Sequence, residues 1–236
     1  MNRDKLRFDK NSNLLYVTMI STMLLIMCGF SLICCSQEET KKSFGIDISH
    51  HNGEIDWGIV PSVDFVYIKA TEGATYIDPM YKINLKGAKS RKYKVGAYHY
   101  FRTSSSAIKQ FENFRNQVKR TDVDLIPVVD VEECKNWSPQ QFRESLEVFA
   151  QLIRSHYGVS PMIYSVNSFY NKYCAPHFNR YHLMIGRYGD FPPFIKGKGN
   201  YTIWQRSEKG KVKGVPKPVD INYFNPKYTI DHILMK

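Results

Sequence analysis

Leu125-Ile126-Pro127-Val128-Val129-Asp130-Val131-Glu132 reads as a strand that is apolar on both faces until its last residues, where two acids appear. A strand buried on both faces belongs to a parallel sheet covered by helices. In a closed parallel barrel, the C-terminal ends of the strands form the mouth where active sites are built. Asp130 and Glu132 are two residues apart, so the period of two turns both side chains to one face. Two carboxyls so close resist ionising together, which raises one pKa and leaves a proton donor beside a carboxylate. Such a pair suits general acid catalysis. The same pair could instead bind a cation or pair with Lys or Arg.

Seven more apolar runs, rich in β-branched and aromatic residues, share this character: 44–48, 65–70, 95–101, 162–165, 182–185, 201–204 and 219–222, with 125–131 as the fourth in order. Helical periodicity fills the earlier gaps. Asp78-Pro79 opens 79–90, and 106–120 spaces Ile108, Phe111, Phe114 and Val118 along one face. Ser138-Pro139 opens 138–157, with Phe142, Leu146, Phe149, Leu152 and Ile153 on one stripe. The later gaps are shorter and richer in Gly and Pro, especially 189–200. The expected fold is α/β, a TIM-like β/α barrel of eight strands with incomplete helices in the last third, the (β/α)5(β)3 type. Two further acids, Asp47 and Asp220, fall at strand ends within apolar sequence, where an unpaired charge is costly.

The remaining signals bound the setting. Lys plus Arg number 33 against 22 Asp plus Glu, a formal charge of +11. A basic surface attracts polyanions, yet the basic residues are scattered, with a loose cluster over 196–217. A nucleic-acid partner is not expected, because no basic run accompanies the charge. A basic segment, 1–13, precedes an apolar stretch, 14–35, which is the pattern of an export signal. Two readings compete for 1–35. Leu32-Ile33-Cys34-Cys35 resembles a lipoprotein signal with Cys35 lipidated, although Cys34 stands where Gly, Ala or Ser is usual. Alternatively the stretch is an uncleaved anchor with its basic end inside. Either one exports the domain and attaches it to a membrane. Residues 36–43 form a linker and 44–236 the domain. Cys134 and Cys174 are either bridged or free thiols. No His/Cys set has metal-ligand spacing, and the adjacent His50 and His51 would point to opposite faces of an extended strand, so neither a metal nor another cofactor is expected.

The motifs together carry a resemblance. Gly45-Ile46-Asp47-Ile48-Ser49-His50, the run 64–73, Asp78-Pro79, Gly96-Ala97-Tyr98-His99-Tyr100-Phe101, Asp130-Val131-Glu132, Pro161-Met162-Ile163-Tyr164-Ser165, Trp204-Gln205 and Val219-Asp220-Ile221-Asn222 follow in order at barrel spacing. The chain resembles glycoside hydrolase family 25, the lysozymes (N-acetylmuramidases), over essentially all of the domain. Two positions depart from the family's pattern: Met184-Ile185-Gly186-Arg187-Tyr188 replaces a Trp-Ile-Ala-x-Tyr-like strand, and Arg206 replaces an aromatic after Gln205.

The resemblance implies an enzyme cutting the β-1,4 bond between N-acetylmuramic acid and N-acetylglucosamine in peptidoglycan; a monomer is expected, although the sequence itself does not set the oligomeric state. The resemblance makes Glu132 the general acid and gives Asp130 the substrate's N-acetyl group, whose oxygen attacks the anomeric carbon with net retention. Asp47 and Asp220 hold the other two acids or tune them. Tyr98, Tyr100, Tyr164, Trp204 and Gln205 are candidates to line the cleft, although core packing accounts for any one aromatic as well. Lys69 and Glu72 either form a buried pair or touch substrate, with the structural pair preferred, and His99 is given no catalytic role. Two other classes remain open: a peptidoglycan-binding module that does not cut, and a chitinase-like hydrolase, whose longer acidic signature is matched here only at its end.

Overall fold

The computed structural model describes residues 44–236. The segments 1–35 and 36–43, Cys35 among them, lie outside the described residues. The strands in chain order are β1 (Phe44–Ile48), β2 (Phe65–Glu72), β3 (Tyr76–Ile77), β4 (Lys94–Tyr100), β5 (Val128–Asp130), β6 (Met162–Val166), β7 (Leu183–Gly186), β8 (Ile203–Gly210) and β9 (Val219–Phe224). Eight of them close a barrel in the order β1-β9-β8-β7-β6-β5-β4-β2, with β2 pairing back to β1. The two-residue β3 folds back antiparallel on the end of β2. Six pairings are parallel, from β1–β2 round to β7–β8. The last strand, β9, runs antiparallel to both of its neighbours. Antiparallel strands need only a short connection, whereas a parallel pair needs a crossover. No helix is therefore required between β8 and β9.

All eight expected strands are present; the first keeps its limits, five shift by one or two residues at their ends, and two differ by more. The fourth run shortens to Val128–Asp130. Pro127 offers no N–H to a ladder, and Ile126 N–H donates to Ile233 O of the C-terminal tail instead. The seventh run begins later, at Ile203, and extends to Gly210 through Arg206-Ser207-Glu208-Lys209. That polar stretch carries no strand signal of its own and is held by hairpin pairing with β9.

Three helices pack outside the strands: α1 (Tyr81–Ser90), α2 (Ala107–Gln117) and α3 (Pro139–Tyr157). Ser138 caps α3 in a capping box with Gln141, and Gly158 ends it in the left-handed conformation, which a residue without Cβ adopts freely. The connections after β1 and β6 hold only short turns, His50–Asn52 and Asn167–Cys174. Among the described residues no helix is long and apolar enough to cross a membrane.

Two hydrophobic layers result. Val66, Ile68, Val95, Val129, Ile163 and Ile185 point outward to Phe114, Phe142, Leu146 and Phe149 of the helices. Burying a side chain such as Phe149 contributes about 1.5–3 kcal/mol. Phe65, Tyr67, Val128, Met162, Tyr164, Met184, Ile203 and Phe224 point inward and fill the barrel. The large rings fit because Gly45 and Gly96 face them: a Cβ would meet the Phe65 ring at 2.4 Å and the Tyr67 ring at 2.1 Å. Cys134 is half-buried and Cys174 buried, and both are free thiols. His50 and His51 lie in the turn after β1 rather than on an extended strand. Their rings come within 3.8 Å of each other.

Candidate active site

Four inner rows of the barrel begin apolar and end polar as they near the mouth. Phe65 and Tyr67 lead to Lys69; Gly96 leads to Tyr98 and Tyr100; Val128 leads to Asp130 and Glu132; Ile203 leads to Gln205. This is the period of two along each strand. Because β9 runs the other way, its beginning is at the mouth, and Asp220 sits there at the N-terminal end of its strand. The expectation that Asp220 closes the C-terminal end of a strand is corrected by that reversal, yet the residue reaches the same cavity. A cleft of about 410 Å³ opens at the mouth, with Asp47, Asp130, Glu132, Asp220, Tyr98, Tyr100, Tyr164 and Gln205 among its walls.

Asp130 is 8% exposed, and its Oδ1 has no hydrogen-bond partner among the described residues. Glu132 lies just beyond β5 and is exposed to the cleft. Burial is the main cause that raises both carboxyls; Glu132 and Asp47 raise Asp130 further, and Lys69 opposes them. The two carboxyls also share a hydrogen bond, which couples their titration. They titrate as a pair that retains a proton above the ordinary carboxylate range. A second such pair lies beside it. Burial raises Asp47, while hydrogen bonds from Asn222, Asp220 and Gln205 lower it. Burial and then the Asp47 charge push Asp220 upward.

Asp47 Oδ2 accepts from Asn222 Nδ2 at 2.8 Å and from Gln205 Nε2 at 3.1 Å. Gln205 Oε1 in turn accepts from Tyr164 Oη at 2.7 Å and Tyr188 Oη at 3.3 Å. Gln205 thus braces an acid from inside the wall. Trp204 is not among the cleft's lining residues: it pairs with Tyr223 on the opposite face of the β8–β9 ladder, and its Nε1 donates to Arg187 O. One strand position separates the two side chains, and alternation sends them to opposite sides.

Lys69 Nζ meets Glu72 Oε2 at 2.7 Å, and both line the cleft. The pair continues further than the sequence suggested. Arg102 Nε donates to Glu72 at 2.8 Å, its Nη1 donates to Glu133 at 2.9 Å, and Lys135 adds to Glu133 at 3.2 Å. Lys69 and Arg102 approach the Tyr100 ring at 5.2 and 4.5 Å from its centre. Arg102, Asn222 and Tyr188 were not singled out from the sequence. Arg102 continues the inner row of Tyr98 and Tyr100, and Asn222 follows Asp220 by two, so strand alternation was the available signal for both. His99 points the other way, fully buried, with Thr71 and Gln110 at its two ring nitrogens and Phe149 stacked on it. Among the described residues no three His, Cys, Asp or Glu side chains form a metal-ligand group.

The profile of a family described as "Glycosyl hydrolases family 25" matches residues 46–215. The uncharacterized protein YegX of Escherichia coli (strain K12) is 34% identical over 188 residues, covering 77% of this chain and 69% of that protein. Lysozyme M1 of Streptomyces globisporus is 32% identical over 198 residues, covering 77% of this chain and 67% of that protein. The crystal structure of a bacterial lysozyme from Streptomyces coelicolor superposes with a TM-score of 0.73 at 29% identity, covering 83% of this chain and 96% of that one.

Proposed function

This chain belongs to glycosyl hydrolase family 25 and is a glycoside hydrolase of the lysozyme class, and on that premise we propose the parts its residues play. The substrate is peptidoglycan, cut at the β-1,4 bond between N-acetylmuramic acid and N-acetylglucosamine. Glu132, open to the cleft, gives a proton to the leaving oxygen. Asp130 holds the neighbouring N-acetyl group so that its carbonyl oxygen attacks the anomeric carbon. Water then opens that intermediate, and the configuration is retained. The observation that carries this reading is the buried Asp130 Oδ1, which lines the cleft beside Glu132 without a protein partner. A buried acceptor without a donor is costly, and the N–H of an acetamido group supplies one. Asp47 and Asp220 form the second proton-sharing pair and hold the local field. Tyr98, Tyr100 and Tyr164 contact the sugar, while Gln205 serves by fixing Asp47.

The test is digestion of purified peptidoglycan. Released reducing ends, lost by about 10²–10⁴-fold in Glu132→Gln, are the expected result. Full activity in Glu132→Gln would remove that residue from its role, and binding without release would favour a non-cutting module. The anomeric form of the first product, read by NMR, tests the mechanism: inversion excludes attack by the acetamido oxygen.

The same reading places the enzyme outside the cytoplasm as a monomer. Residues 1–35 act as the export signal, with either lipidation at Cys35 or an uncleaved anchor holding it to the membrane, 36–43 as linker and 44–236 as the catalytic domain. An intact Met1 in membrane-extracted protein, measured by mass, rules out lipidation at Cys35.

A further inference from the structure

Arg206 departs from the family pattern quoted above, and its surroundings form a feature the catalytic reading does not use. Ile221 and Tyr223 alternate along β9 with Asp220 and Asn222, so they face away from the barrel interior. Among the described residues no helix covers that outer flank between β8 and the turn at Ile230–His232. A groove of about 430 Å³ lies there, walled by Tyr188, Asp190, Arg206, Ser207, Ile221 and Tyr223.

Three features suit this groove to a ligand. First, it adjoins the cleft: Glu208 lines both. Tyr188 lines the groove and places its hydroxyl on Gln205, the residue that braces Asp47. Second, its cation is held in advance. Arg206 Nε donates to Gly189 O at 3.1 Å, its Nη2 pairs with Asp190, and its guanidinium lies 5.6 Å from the centre of the Trp204 ring. A planar donor fixed by its neighbours loses little entropy when it binds. Third, the wall mixes aromatic rings with donors and acceptors of both signs, Arg206 and Lys209 against Asp190 and Glu208. Donors and acceptors of both signs beside aromatic rings suit the hydroxyl, amide and carboxylate groups of a sugar chain. Tyr188 is 46% exposed, leaving ring surface for the apolar face of a sugar.

We propose that this groove is a second saccharide-binding station, which takes sugar units of the same glycan strand whose scissile bond lies in the cleft. The proposal rests on the peptidoglycan reading above and extends it. A polymer of repeating sugars is far longer than the cleft and must leave it across the rim. The rim at Glu208 leads to the groove. A second contact on one strand is intramolecular once the first is made, so it adds affinity for long substrates alone.

The test uses the full chain carrying Glu132→Gln, titrated with di-, tetra-, hexa- and octasaccharides of alternating N-acetylglucosamine and N-acetylmuramic acid. Affinity rises with length in this parent, by about five- to tenfold once the groove is reached. Adding Arg206→Ala, or Ser207→Trp to fill the groove, removes that rise and leaves binding of the shortest bound oligosaccharide unchanged. In otherwise wild-type enzyme the same substitutions raise KM on long glycan with kcat unaltered. An equal length dependence in parent and variants overturns the groove and leaves the cleft reading standing. Failure of every oligosaccharide to bind overturns the substrate reading and the groove with it.

Discussion

At the floor of the cleft Asp130 is nearly closed off from water while Glu132 stays open to it. The division suits their parts: one holds a substrate group in place, the other must reach a leaving oxygen. It also has a consequence for stability. Asp47, Asp130, Glu132 and Asp220 all have pKa values raised in the fold, with burial as the first cause. A raised acid holds its stabilising proton below the ordinary carboxylate range and loses that contribution as pH climbs through the raised value. Asp130→Asn keeps the shape without the charge. We expect it to abolish most activity and to raise Tm at neutral pH, at about 2–4 °C per kcal/mol for a domain of this size, with a flatter decline toward alkaline pH. Thermal melts followed by circular dichroism across pH check this. His99 has the opposite sign. Burial lowers its pKa from 6.5 to about 4, so the neutral ring contributes stability above pH 6.5 that is lost as pH falls toward 4. An NMR titration of the ring should show it neutral through most of that interval.

Among the elements, the strands carry the most local information and the pairs between them the least. Gly96 on β4 lies opposite Tyr67 on β2, with no room for a methyl group. Gly96→Ala should cost about 1–3 kcal/mol through overpacking of the barrel interior, seen as a lower denaturant midpoint at unchanged slope. Two helix starts were legible in the sequence because caps are local: Ser106 and Ser138 each accept from a backbone N–H three residues on, whereas α1 begins only at Tyr81, after Met80 and without the side-chain cap that Asp78-Pro79 suggested, and α2 ends at Gln117, short of 120. β8 was not legible over its second half. Arg206-Ser207-Glu208-Lys209 has the composition of a loop, and only pairing with β9, across register shifts after Gln205, makes it a strand.

For the molecule as a whole, the barrel has a polar mouth and a plugged base. Ile233 of the tail is fully buried in the interior layer, Ile126 N–H donates to its carbonyl, and Leu234 bridges Leu125. The strand that ends in the acids is thus anchored at its start by the last residues of the chain. Ile233→Ala should cost about 2–5 kcal/mol. Because the contact is far from the cleft, kcat and KM measured well below the melting temperature should stay close to wild type; a matching fall in kcat would mean that the base and the mouth are coupled.

The acids, the order of the strands and the face on which Asp130, Glu132, Tyr98 and Tyr100 lie were all present in the sequence. Each depends on a short-range rule: a period of two, a cap, or an apolar run closed by a charge. Tertiary structure decided the rest. It reversed β9 and so brought Asp220 to the mouth from the start of its strand. It turned Trp204 outward and Gln205 onto Asp47, extended the Lys69–Glu72 pair through Arg102 to Glu133, and opened the groove beside Arg206. These follow from pairing between distant segments. Strand direction and bulges depend on the partner across the ladder, and the strand's own sequence does not specify that partner.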